Sequence, residues 1–528
     1  MIQIGNPEKL IMSMNYNYKF CILSAGKGTR NKSIEGLHKA LLPLENKAVI
    51  SRILNNIPLE VEVVIPVGYK SDQIKSYLKV THPNRKIIFV DIENFDGPGS
   101  GPGFSLLMCE EHLQCPFIFM SVDTVTEESY NYGEVSYNWI GVANVDERKA
   151  SIYCLVDGET YLNKFYWGVG EKAFVGIAGI HEYEKFWADL KNALMYKNEY
   201  QVFSGFDNLE DIRLKYFTWY DTGNEEAYTR TKSRFYHEIG IPKNNEVLFV
   251  DGDNVIKYFS DSQKVDNRIK RGNYLNGTIP DVYRINSNMY GYKYIHGKTL
   301  SKVYDDVVFS KLLSFWYDKL GSIQFKKDSK FLKNCKYMYY DKTFERCEPF
   351  SLQDIDNKIE YINGSKVDKI YNLLNKINWD SIYENAIPSY FHGDLQPENI
   401  IYDGEKFTFI DWRESFGDSL EIGDFYYDLG KLYHASLING EDVNNRLYKV
   451  YISDNHAQIS YHSRSNLLFL YSELKKFCRT NNYSWPNIRI LGALQYLGIS
   501  SLYNDFHNGD YGKFLFLYGK YLLTKLLN

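Results

Sequence analysis

The sequence lacks the features that place a protein in a membrane or outside the cell. None of its apolar runs approaches the length of about 18 to 20 residues that a membrane-spanning helix needs. Its first residues show no signal-peptide pattern, and no Cys-x-x-Cys pair occurs among its 7 cysteines. Scattered cysteines of odd number argue for free thiols in a reducing compartment and against a structural zinc site. We therefore expect a cytoplasmic protein.

An excess of charge of one sign is also missing. The net charge is -5 over 528 residues, so no basic field draws the chain to nucleic acid. Internal repeats and low-complexity tracts are absent as well. The length corresponds to roughly three lobes of about 150 residues. We expect packed lobes that bind small molecules, with no nucleic acid partner; the composition is compatible with oligomerisation.

The most informative segment that is present spans residues 391–412 and reads FHGDLQPENIIYDGEKFTFIDW. Asp394 and Asn399 precede a hairpin with an Asp-Gly turn, and Asp411 directly follows it. Phosphoryl transfer from ATP requires a carboxylate beside the accepting hydroxyl, then an amide and a second carboxylate on Mg²⁺. We predict Asn399 and Asp411 as Mg²⁺ ligands. Asp394 would orient or deprotonate the hydroxyl, and His392 would brace the loop. The alternative is an ordinary hairpin with surface acids.

A second chemical signal lies near the N-terminus. Apolar residues 19–24 run into the glycine-rich segment AGKGTRN, a strand-then-turn pattern that delivers backbone N–H groups to phosphates. Such a turn is weak evidence alone, but a basic residue follows at Lys39. We expect Arg30 and Lys39 to neutralise charge that builds on the phosphates. The predicted nucleotide-binding residues are Ser24, Ala25, Gly26, Lys27, Gly28 and Thr29.

Two aspartates follow apolar or aromatic runs that read as strands. Asp123 ends CPFIFMSVD, and Asp221 ends KYFTWYD before a helix that opens with acidic residues. Carboxylates at the carboxyl ends of strands are where α/β sheets place their ligands. Together they can hold one Mg²⁺ on the α-phosphate of a nucleoside triphosphate. The alternative for each aspartate alone is a helix N-cap or a turn residue.

A lysine on a strand is the expected phosphate-binding group of the C-terminal half. Residues 246–259 read as two strands about a Gly-Asp-Asn turn, with Lys257 on the second. Lysine at this place normally grips the α- and β-phosphates of ATP, although a solvent-facing lysine on an edge strand is the alternative. No G-x-G-x-x-G loop occurs, and the nearest acidic partner that follows is Asp266. These departures point to a small-molecule kinase rather than a protein kinase.

The N-terminal pattern resembles the sugar-nucleotide and CDP-alcohol nucleotidyltransferases, whose signature is L-x-A-G-x-G-T-R followed by P-K-x-L. His38 stands where that family usually has proline. The resemblance implies a Rossmann-like α/β fold of the GT-A type, two metal-binding aspartates at Asp123 and Asp221, and base and ribose contacts from the loop 95–107.

The C-terminal pattern resembles the aminoglycoside phosphotransferase and choline kinase superfamily. Its H-G-D-L-x-x-x-N and I-D-[WF] motifs are intact, and YIHGKTL at 294–300 resembles the hinge. This implies an α+β bilobal, protein-kinase-like domain, in which the segment holding Asp424 and Asp428 braces the catalytic loop. The predicted division is an N-terminal extension 1–18, a nucleotidyltransferase domain 19–236, a linker 237–244, a kinase N-lobe 245–300 and a helical C-lobe 301–528.

The pairing of these two halves predicts a bifunctional enzyme that uses Mg²⁺ at both sites. The kinase would convert a small alcohol and ATP to a phosphomonoester, and the transferase would join that product to a second nucleoside triphosphate, CTP. The expected product is of the CDP-choline or CDP-ethanolamine type, for decorating a surface polysaccharide. The runner-up is an anomeric sugar kinase coupled to a UDP-sugar or GDP-sugar pyrophosphorylase. A third possibility is that one half is degenerate and only regulates or scaffolds the other.

Overall fold

The chain divides into two compact units, Met1–Ser260 and Asp261–Asn528. The computed structural model describes residues 16–130, 135–146, 152–196, 198–235, 245–275, 277–352 and 354–528. Most of the predicted N-terminal extension and the whole predicted linker 237–244 therefore lie outside the described residues.

The N-terminal unit alternates short strands with helices. Its strands are β1 Lys19–Leu23, β2 Pro43–Leu44, β3 Lys47–Ala48, β4 Val63–Val67, β5 Ile87–Asp91, β6 Phe117–Ser121, β7 Thr124–Thr126, β8 Trp139–Asn144, β9 Leu155–Asp157, β10 Lys164–Tyr166, β11 Lys172–Ile180, β12 Arg213–Tyr216, β13 Trp219–Asp221, β14 Glu246–Asp251 and β15 Asn254–Phe259. Its helices are α1 Val49–Asn55, α2 Ser71–Thr81, α3 Pro102–Leu107, α4 Tyr183–Lys191 and α5 Glu225–Lys232.

A nine-stranded sheet forms the centre of this unit. Strands β6, β1, β4 and β5 are neighbours in that order and run parallel, while β11 adds to β6 in the antiparallel direction. Phe20, Cys21 and Ile22 of β1 are fully buried, because helices cover both faces of a parallel sheet and leave only apolar positions along its central strands. The predicted α/β sheet is confirmed.

The hairpin of β14 and β15 belongs to the N-terminal unit. Its strands pair antiparallel over six residue pairs, as the sequence predicted. The Val250 amide donates to the Asn46 carbonyl oxygen at 2.7 Å, and Tyr258 Oη donates to the Glu35 carbonyl oxygen at 2.8 Å. The ring of Phe249 packs edge-on against Tyr77, with ring centroids 5.1 Å apart. These contacts join the hairpin to residues 35, 46 and 77 of the same unit. The predicted kinase N-lobe, residues 245–300, stays a prediction.

The C-terminal unit has small sheets and many helices. Its strands are β16 Tyr283–Arg284, β17 Met289–Lys293, β18 Lys298–Thr299, β19 Tyr361–Ile362, β20 Ser365–Lys366, β21 Pro388–Ser389, β22 Ile400–Tyr402, β23 Phe407–Phe409, β24 Gly423–Asp424, β25 Tyr448–Ser453 and β26 His456–Tyr461. Its helices are α6 Ser262–Gly272, α7 Asp306–Trp316, α8 Ser329–Lys336, α9 Lys342–Leu352, α10 Ile355–Lys358, α11 Ile370–Lys376, α12 Trp379–Asn385, α13 Phe425–Leu437, α14 Gly440–Asn444, α15 Ser465–Thr480, α16 Trp485–Ser500 and α17 Asp510–Leu527.

Helix α13 is the core of the C-terminal unit. Residues 425–436 of this helix are all buried, because α15 and α16 pack against it. Strands β22 and β23 form the antiparallel hairpin that the Asp-Gly turn predicted. The apolar spacing that predicted C-terminal helices is confirmed by α15 and α16. Among the described residues, no helix combines the length and apolar character that crossing a membrane requires.

Candidate active sites

The glycine-rich turn begins where β1 leaves the sheet. Ser24 Oγ donates a hydrogen bond to the Pro66 carbonyl oxygen at 2.9 Å, and the Tyr69 amide donates to the Ala25 carbonyl oxygen at 2.9 Å. Ser24 and Ala25 are buried, whereas the next residues of the turn are half-buried or exposed. The first two predicted nucleotide-binding residues thus fix the turn to β4, and the later ones face solvent.

Gly28 lets the stem of Lys39 cross the turn. Its φ angle is +62°, and a Cβ atom added there would lie 2.8 Å from Lys39 Cδ. A side chain would therefore meet both backbone strain and a steric clash. Lys39 itself begins a short 3₁₀ helix, Lys39–Leu41, behind the turn. The spacing of glycine and lysine that the sequence showed is a physical contact in the structure.

His38 positions the 3₁₀ helix that carries Lys39. His38 Nδ1 accepts a hydrogen bond from the Ala40 amide at 3.1 Å, and the His38 amide donates to Gln73 Oε1 at 2.9 Å. The side chain is fully buried, and burial together with the Lys39 charge lowers the pKa of His38 to about 3. A neutral imidazole therefore caps this helix at the position where the resembled family has proline.

Asp123 lies just beyond the carboxyl end of β6. Its Oδ2 atom is 2.9 Å from Lys39 Nζ, and its Oδ1 atom accepts a hydrogen bond from Ser121 Oγ at 2.5 Å. Burial opposes ionisation, but Lys39 and Ser121 outweigh it and lower the pKa of Asp123 to about 2. Asp123 is therefore an anion at neutral pH.

Asp221 reaches the same place through strand pairing. Strand β13 runs antiparallel to β7, with Asp221 opposite Thr124. Tyr153 Oη donates to Asp221 Oδ2 at 2.9 Å, and the Gly223 amide donates to Oδ1 at 2.8 Å. Burial raises the pKa of Asp221, and the neighbouring charge of Asp123 adds to that rise. The structure thus brings together two aspartates that lie far apart in sequence.

The two carboxylates fit a divalent cation. A Cβ atom built on Gly223 would lie 3.1 Å from Asp221 Oδ1 and 3.3 Å from Asp123 Oδ2, so both oxygens face one point. Mg²⁺ is commonly bound by one or two carboxylates together with substrate phosphates. The raised pKa of Asp221 marks a carboxylate whose charge is not fully compensated.

Arg30 and Lys27 complete the turn in different ways. The charge of Arg30 favours ionisation of both Asp123 and Asp221, although its side chain is exposed. Lys27 forms an ion pair with Asp96, which belongs to the loop 95–107. This loop, which was predicted to contact the base and ribose, therefore lies beside the glycine-rich turn. Thr29 is also exposed.

Asp394 is the centre of the second site, in the C-terminal unit. Its Oδ1 atom accepts a hydrogen bond from Gln396 Nε2 at 2.7 Å and lies 3.0 Å from Lys431 Nζ. Burial opposes ionisation, but the Lys431 charge outweighs it and lowers the pKa of Asp394 to about 2. The side chain keeps 32% of its surface exposed, so the carboxylate is both ionised and accessible.

Asn399 and Asp411 stand beside this carboxylate. Asn399 Nδ2 donates to Asp394 Oδ2 at 3.1 Å and to the Asp394 carbonyl oxygen at 2.9 Å, which leaves its Oδ1 atom for a cation. Asp411, with a φ angle of +57°, accepts a hydrogen bond on Oδ1 from Arg268 Nη1 at 2.5 Å. The amide oxygen of Asn399 and the carboxylate of Asp411 are ligand types that Mg²⁺ prefers. One oxygen of the Asp411 carboxylate already contacts the positively charged guanidinium of Arg268.

His392 ties the catalytic loop to the strand that precedes Asp411. Its Nε2 atom is 3.0 Å from the Ile410 carbonyl oxygen, while its backbone amide donates to Asp428 Oδ2 at 2.7 Å. The ring is fully buried, and burial lowers the pKa of His392 to about 4. The Gly393 amide also donates a hydrogen bond to Asp428 Oδ1, at 2.7 Å. The buried Asp428 on α13 therefore fixes the backbone of residues 392–393.

Several basic residues of the C-terminal site were missed in the sequence. Lys431 contacts Asp394 and Arg268 contacts Asp411, while Arg271 donates to the Phe391 carbonyl oxygen at 2.5 Å. Lys431 follows Asp428 by three positions on α13, a spacing that places both on one helix face. That spacing was the available signal for Lys431. Arg268 and Arg271 lie on α6, more than a hundred positions before the motif in the sequence, so no local pattern indicated them.

Lys257 has an acidic neighbour that precedes it in sequence. It lies on β15 with 7% of its side chain exposed, and its Nζ atom is 3.6 Å from Glu246 Oε1 on β14. Asp266, the candidate that follows it, forms an ion pair with Arg284 instead. Lys257 belongs to the N-terminal unit and Asp394 to the C-terminal unit.

The segment that contains the C-terminal motifs matches the model of a known protein family. Residues 378–463 match the model of the phosphotransferase enzyme family. This match confirms the predicted resemblance of the C-terminal half to that family.

The N-terminal region is similar in structure to solved nucleotidyltransferases. A UDP-glucose pyrophosphorylase complexed with UDP-glucose is 17% identical, covers 42% of this chain and 98% of its own, and has a TM-score of 0.34. The CTP:phosphocholine cytidylyltransferase from Streptococcus pneumoniae is 18% identical over 41% and 99%, with a TM-score of 0.35. The inositol-1-phosphate CTP transferase from T. maritima is 15% identical over 42% and 98%, with a TM-score of 0.32. No curated protein matched the chain.

Proposed function

We propose that the chain catalyses two successive reactions. The C-terminal unit phosphorylates a hydroxyl of a small alcohol with ATP. The N-terminal unit then joins the phosphomonoester to the nucleotidyl group of a second nucleoside triphosphate and releases pyrophosphate. We further propose that the second nucleotide is CTP and that the product supplies a surface polysaccharide. The enzyme would act in the cytoplasm, where both nucleotides are made.

One observation supports both steps. Each unit holds an aspartate whose pKa is lowered to about 2 by a lysine, and a second oxygen-bearing side chain lies near it: Asp221 near Asp123, and Asn399 beside Asp394. These two arrangements, centred on Asp123 and Asp394, are what nucleotidyl transfer and phosphoryl transfer respectively require.

In the first step, Asp394 would accept the proton of the substrate hydroxyl. The oxygen then forms a bond to the γ-phosphorus of ATP while the bond to the β,γ-bridging oxygen breaks and ADP leaves. Asn399 and Asp411 would hold Mg²⁺, which neutralises charge on the phosphates. His392, bonded to the Ile410 carbonyl oxygen, would keep the loop that carries Asp394 in position. The ATP-binding role of Lys257, which belongs to the N-terminal unit, stays a prediction from the sequence.

In the second step, a phosphate oxygen of the intermediate attacks the α-phosphorus of the nucleoside triphosphate. The bond to the β-phosphate breaks and pyrophosphate leaves with its electron pair. Lys39 and Arg30 would compensate charge on the phosphates. Asp123 and Asp221 would hold Mg²⁺, which supplies electrostatic stabilisation at the α-phosphate. The turn of residues 24–29 would contact the triphosphate through its backbone.

The transfer step is tested by pyrophosphate release from the full-length protein. Each of CTP, UTP, GTP and ATP is offered with phosphocholine, phosphoethanolamine, glycerol phosphate and sugar 1-phosphates. We expect CTP with an alcohol phosphate to give the fastest release. Asp123→Ala should lose that activity, and Glu159→Ala, at an exposed acid of the same unit, is the matched control.

Each outcome separates the alternatives. A preference for UTP or GTP with a sugar 1-phosphate would establish the sugar route in place of the CDP-alcohol route. Absence of pyrophosphate release with every pair, in a protein that still consumes ATP, would mean that the N-terminal unit is a nucleotide-binding module without transferase activity.

A further inference from the structure

Four basic side chains of the C-terminal unit act on one another electrostatically, and one of them contacts Asp394. Lys431 contacts Asp394 directly, at 3.0 Å. The other members, Arg413, Lys342 and Arg346, are close enough for Arg413, Arg346 and Lys431 to act electrostatically on Lys342. We call these four residues the cation cluster. Neither the family motifs nor the Mg²⁺ ligands include them.

Arg413 is anchored against the catalytic loop. Its backbone amide donates to the His392 carbonyl oxygen at 3.1 Å, and a Cβ atom on Gly393 would lie 2.7 Å from Arg413 Cβ. Its Nη1 atom donates to Tyr427 Oη at 3.2 Å, whereas its buried Nε atom has no hydrogen-bond partner among the described residues. Arg413 is thus anchored beside residues 392–393, within electrostatic reach of Asp394, with hydrogen-bonding capacity left over.

Lys342 and Arg346 reach the same region from α9. They are four positions apart, so both lie on one face of this helix. The preceding turn places Tyr339 in a stacked contact with Tyr427, the residue that Arg413 touches, with ring centroids 6.1 Å apart. The buried Nε atom of Arg346 also has no hydrogen-bond partner within the described part of the chain.

Acids balance this cluster only in part. Asp394 forms an ion pair with Lys431, the charges of Glu414 and Asp394 favour the cation of Arg413, and the charge of Glu414 also acts on Lys342. Glu414 also lies 3.7 Å from Arg268, outside the cluster. In the described residues, no carboxylate oxygen comes within 4.0 Å of the side-chain nitrogens of Lys342, Arg346 or Arg413. Burial and the three neighbouring cations lower the pKa of Lys342 to about 7. Partly buried cations without paired acids are unfavourable unless a ligand supplies the counter-charge.

We propose that the alcohol phosphorylated at Asp394 carries an anionic group, a carboxylate or a phosphate, which the cation cluster binds while the hydroxyl faces Asp394. This rests on the proposed kinase step and deepens it by giving the charge of the acceptor. Sugar acids, hydroxy acids and phosphorylated alcohols belong to this class. Choline and ethanolamine, which the resemblance suggested, carry the opposite charge and would be repelled.

The ATP phosphates are the other negatively charged groups that the cation cluster could bind. The KM values of the acceptor and of ATP distinguish these two ligands. If the cluster binds the acceptor, removing one charge raises the acceptor KM and leaves the ATP KM unchanged. If it binds ATP, the ATP KM rises. Lys342 is suited to this test because it is half-buried and has no direct contact with Asp394 or the predicted Mg²⁺ ligands.

The experiment measures ATP consumption by the full-length protein with acceptors matched in carbon number. Glycerate is compared with glycerol and serinol, gluconate with glucitol and glucosamine, and glycerol phosphate and choline are added. We expect kcat/KM to be at least about tenfold higher for the anionic member of a set. Lys342→Met should remove most of that preference through KM, and Lys342→Arg should restore it. Lys333→Met, at an exposed position of α8, is the matched control.

A higher kcat/KM for the neutral or cationic members would overturn the anionic acceptor and leave the kinase step intact. A rise in the ATP KM of Lys342→Met, with unchanged acceptor preference, would assign the cluster to ATP and overturn the proposal as well. Lack of ATP consumption with every acceptor would contradict the kinase step itself, and the inference with it.

Discussion

Both candidate sites pair an aspartate with a lysine, but they differ in the second aspartate, Asp221 in one site and Asp411 in the other. In the N-terminal unit, Lys39 holds Asp123 ionised, and Asp221 next to it has a raised pKa because burial and Asp123 oppose its charge. In the C-terminal unit, Lys431 keeps Asp394 ionised, but Asp411 Oδ1 already accepts a hydrogen bond from Arg268 Nη1 at 2.5 Å.

This difference concerns how each site would accept a cation. The N-terminal pair has negative charge that a divalent ion would relieve directly. In the C-terminal site, the guanidinium of Arg268 occupies one oxygen of Asp411, so a metal must share or replace that contact. The C-terminal site also has further cations, Arg413 and Lys342, near Lys431, whereas Asp221 accepts a hydrogen bond from Tyr153 and is influenced by the charges of Asp123 and Arg30.

The largest effect should follow from removing Asp394, the proposed base of the C-terminal site. Asp394→Ala should reduce ATP-dependent phosphorylation about 10³-fold, because proton transfer to a positioned carboxylate is lost. Transfer to a pre-phosphorylated acceptor should be unaffected, which a parallel assay of pyrophosphate release measures. Asp318→Ala, at an exposed helical position, is the control. Loss of both activities would mean that the two units do not act as separate sites.

The complementary change is Asp123→Ala in the N-terminal site. It should reduce pyrophosphate release about 10²-fold or more, because the carboxylate that faces Lys39 and Asp221 is lost. Phosphorylation of the free alcohol should continue, and the phosphomonoester should accumulate. Ion-exchange chromatography of the products measures this directly. Unchanged pyrophosphate release would remove Asp123 from the transferase site.

A smaller effect should come from the turn that supports Lys39. Gly28→Ala should lower transferase kcat/KM about tenfold, because the added Cβ pushes against Lys39 Cδ and the positive φ angle is strained. The kinase step should not change. Gly404→Ala tests a glycine that also has a positive φ angle, +111°, but open space around it. An equal loss of transferase activity in both variants would contradict the specific contact.

The smallest effect should be a pH dependence of the acceptor KM in the phosphorylation step. Lys342 has a pKa lowered to about 7, so it is charged below that pH and neutral above it. Arg413, Arg346, Lys431 and Glu414 are the charged groups that act on it. The KM for an anionic acceptor should therefore rise severalfold between pH 6 and pH 8. In Lys342→Met the same profile should be flat; a parallel rise in both proteins would exclude Lys342 as its cause.

Local patterns predicted the acids well, while long-range packing decided their partners. Asp394, Asn399 and Asp411 lie within one short segment, so their spacing alone predicted a common site. Asp123 and Asp221 were paired by resemblance to a family, and the contact depends on β7 and β13, which no local signal joins.

The basic partners were harder to predict because they come from distant elements. Lys342 lies 71 positions before Arg413 in the sequence, so no local pattern indicates that the charge of Arg413 acts on it. In the sequence, the nearest acid that follows Lys257 is Asp266, whereas Glu246 stands before it on the paired strand. His38 replaces the proline of the resembled family, and in the structure it caps the 3₁₀ helix that carries Lys39.

In the proposed reaction sequence, the phosphate added in the first step becomes the nucleophile of the second. The direct measurement uses the full-length protein with ATP labelled at the γ-phosphate, unlabelled CTP and the free acceptor that gives the highest ATP turnover. We predict that the label appears first in a phosphomonoester and is then retained in the product that joins the alcohol to the nucleoside diphosphate. A nucleotide-linked product without the label, or a labelled phosphomonoester that never enters one, would contradict it.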